Sequence, residues 1–209
     1  MLNHRGFDLW ADGYDRSVGL SDEDGTYPFA GYKQILNEIY NRVLQSGAKR
    51  ILDIGFGTGT LTSKLYEQGC EIYGQDFSER MIALAREKMP GANLVQGDFS
   101  LGLAAPLTQQ KYDGIIATYS LHHLTNPQKV DFVKSLQPLL NRGGCIYIGD
   151  VAFETGAEMK NCMEEAGELW DDEEIYWVYD EMKAHFPAMK FEKMSPCAGL
   201  ISLQAVSGE

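Results

Sequence analysis

The chain has 209 residues, 44% of them hydrophobic, with 18 basic against 30 acidic side chains and a net charge of −12. That length fits one domain with a sizeable core, and that hydrophobic fraction excludes a disordered polymer. The charge opposes nucleic acid and anionic membrane surfaces as partners, because both are bound through clustered Lys and Arg, and the densest basic stretch here is Lys49-Arg50.

In chain order, residues 1–26 are polar but carry Phe7, Leu9, Trp10, Tyr14 and Val18, which predicts an ordered arm. From Tyr27, apolar positions recur at helical spacing through Ile35, Leu36, Ile39 and Val43, and Ser46-Gly47 ends the helix. Strand and helix signals then alternate. Strands are predicted at 50–54, 71–76, 93–96, 112–117 and 145–150, with helices after Gly59, after Ser78 as N-cap, and from Pro127 to Leu140. Residues 154–186 read as two helical pieces around Asp171-Asp172, and 189–194 with 200–206 as a pair of strands. Strands so close in sequence can pair only antiparallel. The expected fold is α/β: a Rossmann-like, doubly wound, seven-stranded sheet, mostly parallel, with an antiparallel C-terminal hairpin and helices on both faces. One domain is expected, divided into an arm and helix (1–46), a cofactor-binding core (47–150), a helical insert over the substrate site (151–188) and a hairpin (189–209).

No apolar run approaches the roughly 18 residues of a membrane helix, and no signal core opens the sequence. Cys70, Cys145, Cys162 and Cys197 contain no C-x-x-C pair. A reduced, cytoplasmic protein, monomer or homodimer, with no metal site, is the expectation.

In a sheet of this kind the ligand sits at the carboxyl ends of the strands. The first end carries Asp53 and then Gly55-x-Gly57-x-Gly59, three alternate glycines that let backbone come close to a ligand or turn tightly. The dinucleotide fingerprint wants a glycine where Thr60 stands, so the loop departs from the NAD pattern. Asp76 ends the second strand, where an acid can accept from both hydroxyls of a ribose or cap the helix at Ser78. Asp98, in Gly97-Asp98-Phe99, can accept from an adenine amine with Phe99 beside the ring, or serve as a turn residue.

Ile51-Leu52-Asp53-Ile54-Gly55-Phe56-Gly57-Thr58-Gly59, then Asp76, then Gly97-Asp98-Phe99, resembles the class I S-adenosylmethionine-dependent methyltransferases. The Phe7-Asp8-x-Trp10-Ala11-x-x-Tyr14-Asp15 arm and Tyr119-Ser120-Leu121-His122-His123-Leu124 narrow the resemblance to the small bacterial YrrT-like group. The resemblance implies S-adenosylmethionine as cofactor. It places the methionine part on Gly55, Gly57, Thr58 and Gly59 with Asp53 near the ammonium, the ribose on Asp76, and the adenine on Asp98 and Phe99. Tyr14, Phe77, Gly97 and Ala117 complete the expected cofactor set. Phe56 is bulky for its place in this pattern, so its ring must turn away from the cofactor or wall the pocket.

Methyl transfer from a sulfonium needs orientation more than a base. Tyr119 and His122 are the candidate catalytic residues, because an imidazole titrates near neutrality and both follow the fourth strand. The competing reading is that one imidazole packs under the Tyr14 arm and the other faces solvent. No Asn/Asp-Pro-Pro-aromatic element follows Ala117, which speaks against base and amide acceptors. Eleven acids against the single base Lys160 lie between Glu154 and Glu181, interleaved with Trp170, Tyr176, Trp177 and Tyr179. They form either a solvated face or a cover selecting a neutral or cationic small acceptor. The predicted function is methyl transfer to a small molecule. The alternatives are a non-catalytic binder of S-adenosylmethionine or S-adenosylhomocysteine and, further off, an NAD-type oxidoreductase.

Overall fold

Every β-strand that the periodicity singles out is present in the computed structural model, which describes residues 26–205. The first helix, α1 (Tyr32–Gln45), buries Ile35, Leu36, Ile39 and Val43 along one stripe. At about 1.5–3 kcal/mol per buried aliphatic side chain, that stripe holds the helix on the sheet. It begins five residues later than the periodicity from Tyr27 suggests, because Gly31 stands at φ 82°, outside the helical region.

The strands are β1 (Arg50–Ile54), β2 (Glu71–Asp76), β3 (Asn93–Gln96), β4 (Tyr112–Thr118), β5 (Leu140–Phe153), β6 (Trp177–Val178), β7 (Lys190–Lys193) and β8 (Ala198–Gln204). The order across the sheet is β3-β2-β1-β4-β5-β8-β7, with β6 pairing the end of β5. Strands β1 to β5 run parallel, whereas β8 is antiparallel to both β5 and β7. Order reverses between β1 and β4, so the carboxyl ends of β1, β2, β4 and β5 share one crevice. Along β1, Ile51 packs into the core that holds α1, while Leu52 and Ile54 enter the core under Phe132, Val133 and Leu136. This alternation is what a sheet covered on both faces requires.

The remaining helices are α2 (Thr60–Glu67), α3 (Glu79–Lys88), α4 (Ala105–Thr108), α5 (Asn126–Leu136), α6 (Gly156–Ala166) and α7 (Tyr179–Met182). The Ser78 hydroxyl caps α3 by accepting from the Met81 N–H, and a Thr125–Gln128 capping box opens α5.

Three expectations need correction. Helix α5 ends at Leu136 and not at Leu140, since Pro138 lacks the N–H a further turn would use. Leu140 instead starts β5, which is 14 residues long rather than the six of 145–150. The second helical piece of 154–186 is mostly absent. After α6, residues 170–176 are irregular, and Trp177–Val178 pairs in parallel with Ala152–Phe153. The buried Tyr176-Trp177-Val178 run has no helical period, and its aromatic and β-branched side chains favour an extended backbone. Strand β6 is an eighth strand that the sequence does not announce. Among the described residues, no helix is long and apolar enough to cross a membrane.

Candidate active site

The glycine loop joins β1 to α2. Gly55, Gly57 and Gly59 all have positive φ, at 66°, 56° and 74°. They have different neighbours, however. A Cβ on Gly55 would lie 2.5 Å from the Ser120 Cβ, and one on Gly59 would lie 2.8 Å from the Met89 Cε, whereas a Cβ on Gly57 meets nothing within 4 Å. Gly55 and Gly59 thus let protein pack against protein. Of the three, Gly57 is the one that fronts open space among the described residues.

Asp76 at the end of β2 reaches back to this loop. Its Oδ2 accepts from the Gly57 N–H at 2.9 Å and its Oδ1 from the Ser78 N–H at 2.9 Å. The carboxylate pins the loop and caps α3 at once. Asp53, at 2% exposure, stands beneath with its Oδ1 lacking a hydrogen-bond partner. Burial, opposed by the Thr62 hydroxyl and helped by the charge of Asp76, pushes its carboxyl up to about 7. A cleft opens over Asp53, Gly57 and Thr58, walled by Tyr32, Thr60 and Thr118. Tyr32, Thr60 and Thr118 were not among the residues expected from sequence; Thr118 could have been found as the residue that ends β4. Two carboxylates behind a backbone that leaves room at Gly57 suit a ligand carrying positive charge.

The other expected cofactor residues are spread around this crevice. Thr58 is buried, its hydroxyl 3.2 Å from that of Thr60. The Phe77 carbonyl accepts from Gln96 Nε2 at 3.1 Å. Gly97 lies over Gln75, so that a Cβ would come within 3.1 Å of its amide. Asp98 is exposed and caps the turn Phe99–Leu101 by accepting from the Ser100 N–H at 2.8 Å. Phe99 is buried beside Phe132 and reaches the Gly55 position. Ala117 is buried between Ile54 and Ile148 in the sheet. Phe56 turns inward over Gly74, where a Cβ would clash with its ring at 2.6 Å, so its bulk is spent in the core. Tyr14 and Trp10 lie outside the described residues.

A second cluster, holding the expected catalytic residues, stands at the ends of β4 and β5. Tyr119 has φ 49°, a left-handed conformation uncommon for a bulky residue. Its N–H donates to the Gly149 carbonyl at 2.8 Å, and its ring meets Phe29 and Tyr32 at 5.3 and 5.2 Å. His122 is buried, its Nδ1 2.6 Å from Asp150 Oδ1 and its Nε2 3.4 Å from Glu174 Oε1. Burial alone would lower the imidazole pKa, but the Asp150 carboxylate, with Glu174 behind it, outweighs burial and raises it. His123, partly buried beside His122, is pushed down to about 3 by burial and by repulsion from His122. The two rings are therefore shifted in opposite directions although they are adjacent in sequence.

Glu174 is the one acid of the 154–181 stretch that turns into this cluster; Asp171, Asp172 and Glu173 beside it are exposed. Its neighbour Tyr176 donates to Glu174 Oε2 at 2.9 Å and meets the Tyr27 hydroxyl, and Tyr27 accepts from the Asp171 N–H at 3.1 Å. Lys129, fully buried, donates from Nζ to the Ile175 carbonyl and lies 5.0 Å over the Trp177 ring; burial lowers it to about 8. Glu174 and Lys129 were hidden in the sequence, one among ten other acids and the other on a helix that reads as amphipathic. The signal for Glu174 is the run of aromatics that follows it.

Residues 51–144 match the methyltransferase domain family. An uncharacterised methyltransferase of a Geobacillus species is 40% identical over 163 residues, 78% of this chain and 73% of that protein. Another, from Geobacillus kaustophilus, is 37% identical over 188 residues, 86% of this chain and 84% of the relative. Among solved structures, magnesium protoporphyrin IX methyltransferase from Synechocystis, crystallised with S-adenosylhomocysteine, has a TM-score of 0.67 at 18% identity, covering 95% of this chain and 97% of that one. An O-methyltransferase family protein from Burkholderia thailandensis has a TM-score of 0.73 at 13% identity, covering 98% of this chain and 61% of that one. The sheet order, with its antiparallel final strand, and the close relatives agree: this chain belongs to the methyltransferase domain family and carries the class I methyltransferase fold.

Proposed function

We propose that the protein binds S-adenosylmethionine in the crevice over Gly57 and transfers its methyl group to a small-molecule acceptor that enters beside Tyr119 and His122. The observation that carries this reading is the open backbone at Gly57, fixed by Asp76 over the unpartnered carboxylate oxygen of Asp53. When bound, the cofactor supplies a methyl already activated by a sulfonium.

The chain itself contributes position and charge. Asp53 and Asp76 hold negative charge where an ammonium and a ribose diol are expected. Asp98 and Phe99 are the adenine-side residues, Asp98 exchanging its Ser100 contact for a ligand amine. On the acceptor side, Tyr119 presents an aromatic wall with Phe29 and Tyr32, and aromatic faces attract cationic groups. His122, its pKa raised because the Asp150 and Glu174 carboxylates outweigh burial, is placed to orient an acceptor and accepts a proton only in its neutral form. The net charge of −12 and the inward Glu174 favour a neutral or cationic acceptor over a polyanion. Residues 151–188 shape the acceptor pocket. Four free, buried cysteines accord with a reducing cytoplasm.

Calorimetry with S-adenosylhomocysteine tests the cofactor half. Asp76→Ala removes charged hydrogen bonds worth about 1.5–3 kcal/mol each, so affinity should fall at least about tenfold; unchanged affinity would leave Asp76 as a loop pin only. Mass spectrometry of reactions with a panel of small amines, thiols and hydroxyl compounds tests the acceptor half. Methylation of tRNA or DNA with none of these small molecules modified would overturn it.

A further inference from the structure

We propose that His122, His123 and Glu174 form a binding site for one divalent transition-metal ion of the zinc class. The donor atoms of these three side chains all lie within 4.8 Å of one another. The decisive spacing is between His122 and Glu174. With Nδ1–H of His122 given to Asp150 at 2.6 Å, Nε2 faces Glu174 Oε1 at 3.4 Å. A charged N–H···O pair closes to about 2.7–2.9 Å, as the Asp150 side of the same ring does. Two ligands of a tetrahedral ion bound at about 2.1 Å stand about 3.4 Å apart. The Glu174 side has the spacing of two ligands, while the Asp150 side has the spacing of a hydrogen bond.

The surroundings support the assignment. A metal-binding histidine usually donates its other N–H to a carboxylate, and ligating carboxylates are themselves hydrogen-bonded. Here Asp150 takes the His122 Nδ1 proton and is itself oriented by the Val151 N–H at 2.9 Å, and Tyr176 donates to Glu174 Oε2, leaving Oε1 for the ion. The remaining Asp150 oxygen is buried with no hydrogen-bond partner among the described residues. His123 offers the third donor within that same 4.8 Å. Three protein ligands leave a fourth position open, as in zinc sites that bind a water or a substrate atom. The site is independent of the cofactor assignment.

The test uses the full, tag-free chain after chelator treatment. Titration with cobalt(II) should give the visible bands of a four-coordinate ion at one equivalent, and zinc should displace it. Glu174→Gln keeps the Tyr176 contact and should weaken binding at least about tenfold, as should His123→Ala; Asp150→Asn should weaken it about 10–100-fold, the usual effect of a missing outer partner. No saturable cobalt binding, or equal binding in Glu174→Gln and His123→Ala, would overturn the site. Those two variants decide the matter even if Asp150→Asn fails to fold. S-adenosylhomocysteine affinity, measured on the same samples, should be unchanged by Glu174→Gln, which separates this site from the cofactor crevice.

Discussion

The two sides of the crevice are assembled by different means. The β1–β2 side is made of backbone: three left-handed glycines, one N–H held by Asp76, and a buried acid beneath. The β4–β5 side is made of side chains from distant segments. His122 meets Asp150 28 residues away, and Lys129 meets Ile175 46 residues away. The first side is legible as a motif because its pieces lie within one strand–loop–helix unit and one strand end. The second side carries no motif because its partners come from three separate stretches. A backbone site fixes a ligand class, and a side-chain site is free to vary with the acceptor.

The largest expected effect falls on the backbone side. Gly57→Asp places a charged side chain in the open space of the loop, and calorimetric affinity for S-adenosylhomocysteine should drop more than about a hundredfold. The left-handed φ of 56° should cost only about 1–2 kcal/mol of stability. Gly55→Ala should behave oppositely, because its Cβ meets Ser120 at 2.5 Å and folding suffers first. Equal effects in the two variants would erase the distinction between ligand-facing and packing glycines.

Asp53→Asn should change how stability depends on pH. The folded carboxyl sits near 7, above its ordinary 3.8, so the native state binds the extra proton between those values. Wild-type stability therefore declines from about pH 4 to pH 7 through this group. The variant escapes that loss and gains on the order of 4 kcal/mol above pH 7 at most. Urea unfolding at pH 4 and pH 8 measures it, and a gain that is the same at both would refute the assignment.

Asp150→Ala tests the other side. Removing one partner of a buried ion pair costs about 3–5 kcal/mol, so urea unfolding should show a loss of that size. S-adenosylhomocysteine affinity should stay within about twofold, because Asp150 contributes nothing to the glycine loop. A parallel loss of affinity would mean that the two sides are coupled.

The smallest effect belongs to Asp98→Ala. Losing the cap on the Ser100 N–H should cost about 0.5–2 kcal/mol, with a several-fold loss of affinity if the carboxylate also serves adenine. Loss of stability with intact affinity would leave Asp98 a turn residue alone.

Much of the fold was legible from short-range pattern. Alternating strand and helix periods, Ser78 as a cap and the short link before β8 sufficed for the doubly wound sheet and its antiparallel edge. Asp53, Gly57 and Asp76 stood out as candidate site residues for the same reason, since their spacing reflects one loop geometry. What the pattern could not distinguish was the task of each glycine, because φ is local whereas the atom that a Cβ would strike is not. Nor could composition tell Glu174 from the acids around it. Burial selects it, and burial of 170–178 depends on β6 adding to the end of β5. The sequence by itself thus determined the sheet, the candidate crevice at its carboxyl edge and the negative charge. The tertiary structure decided which histidine is paired with which carboxylate, since a buried charge settles only where folding brings it a partner.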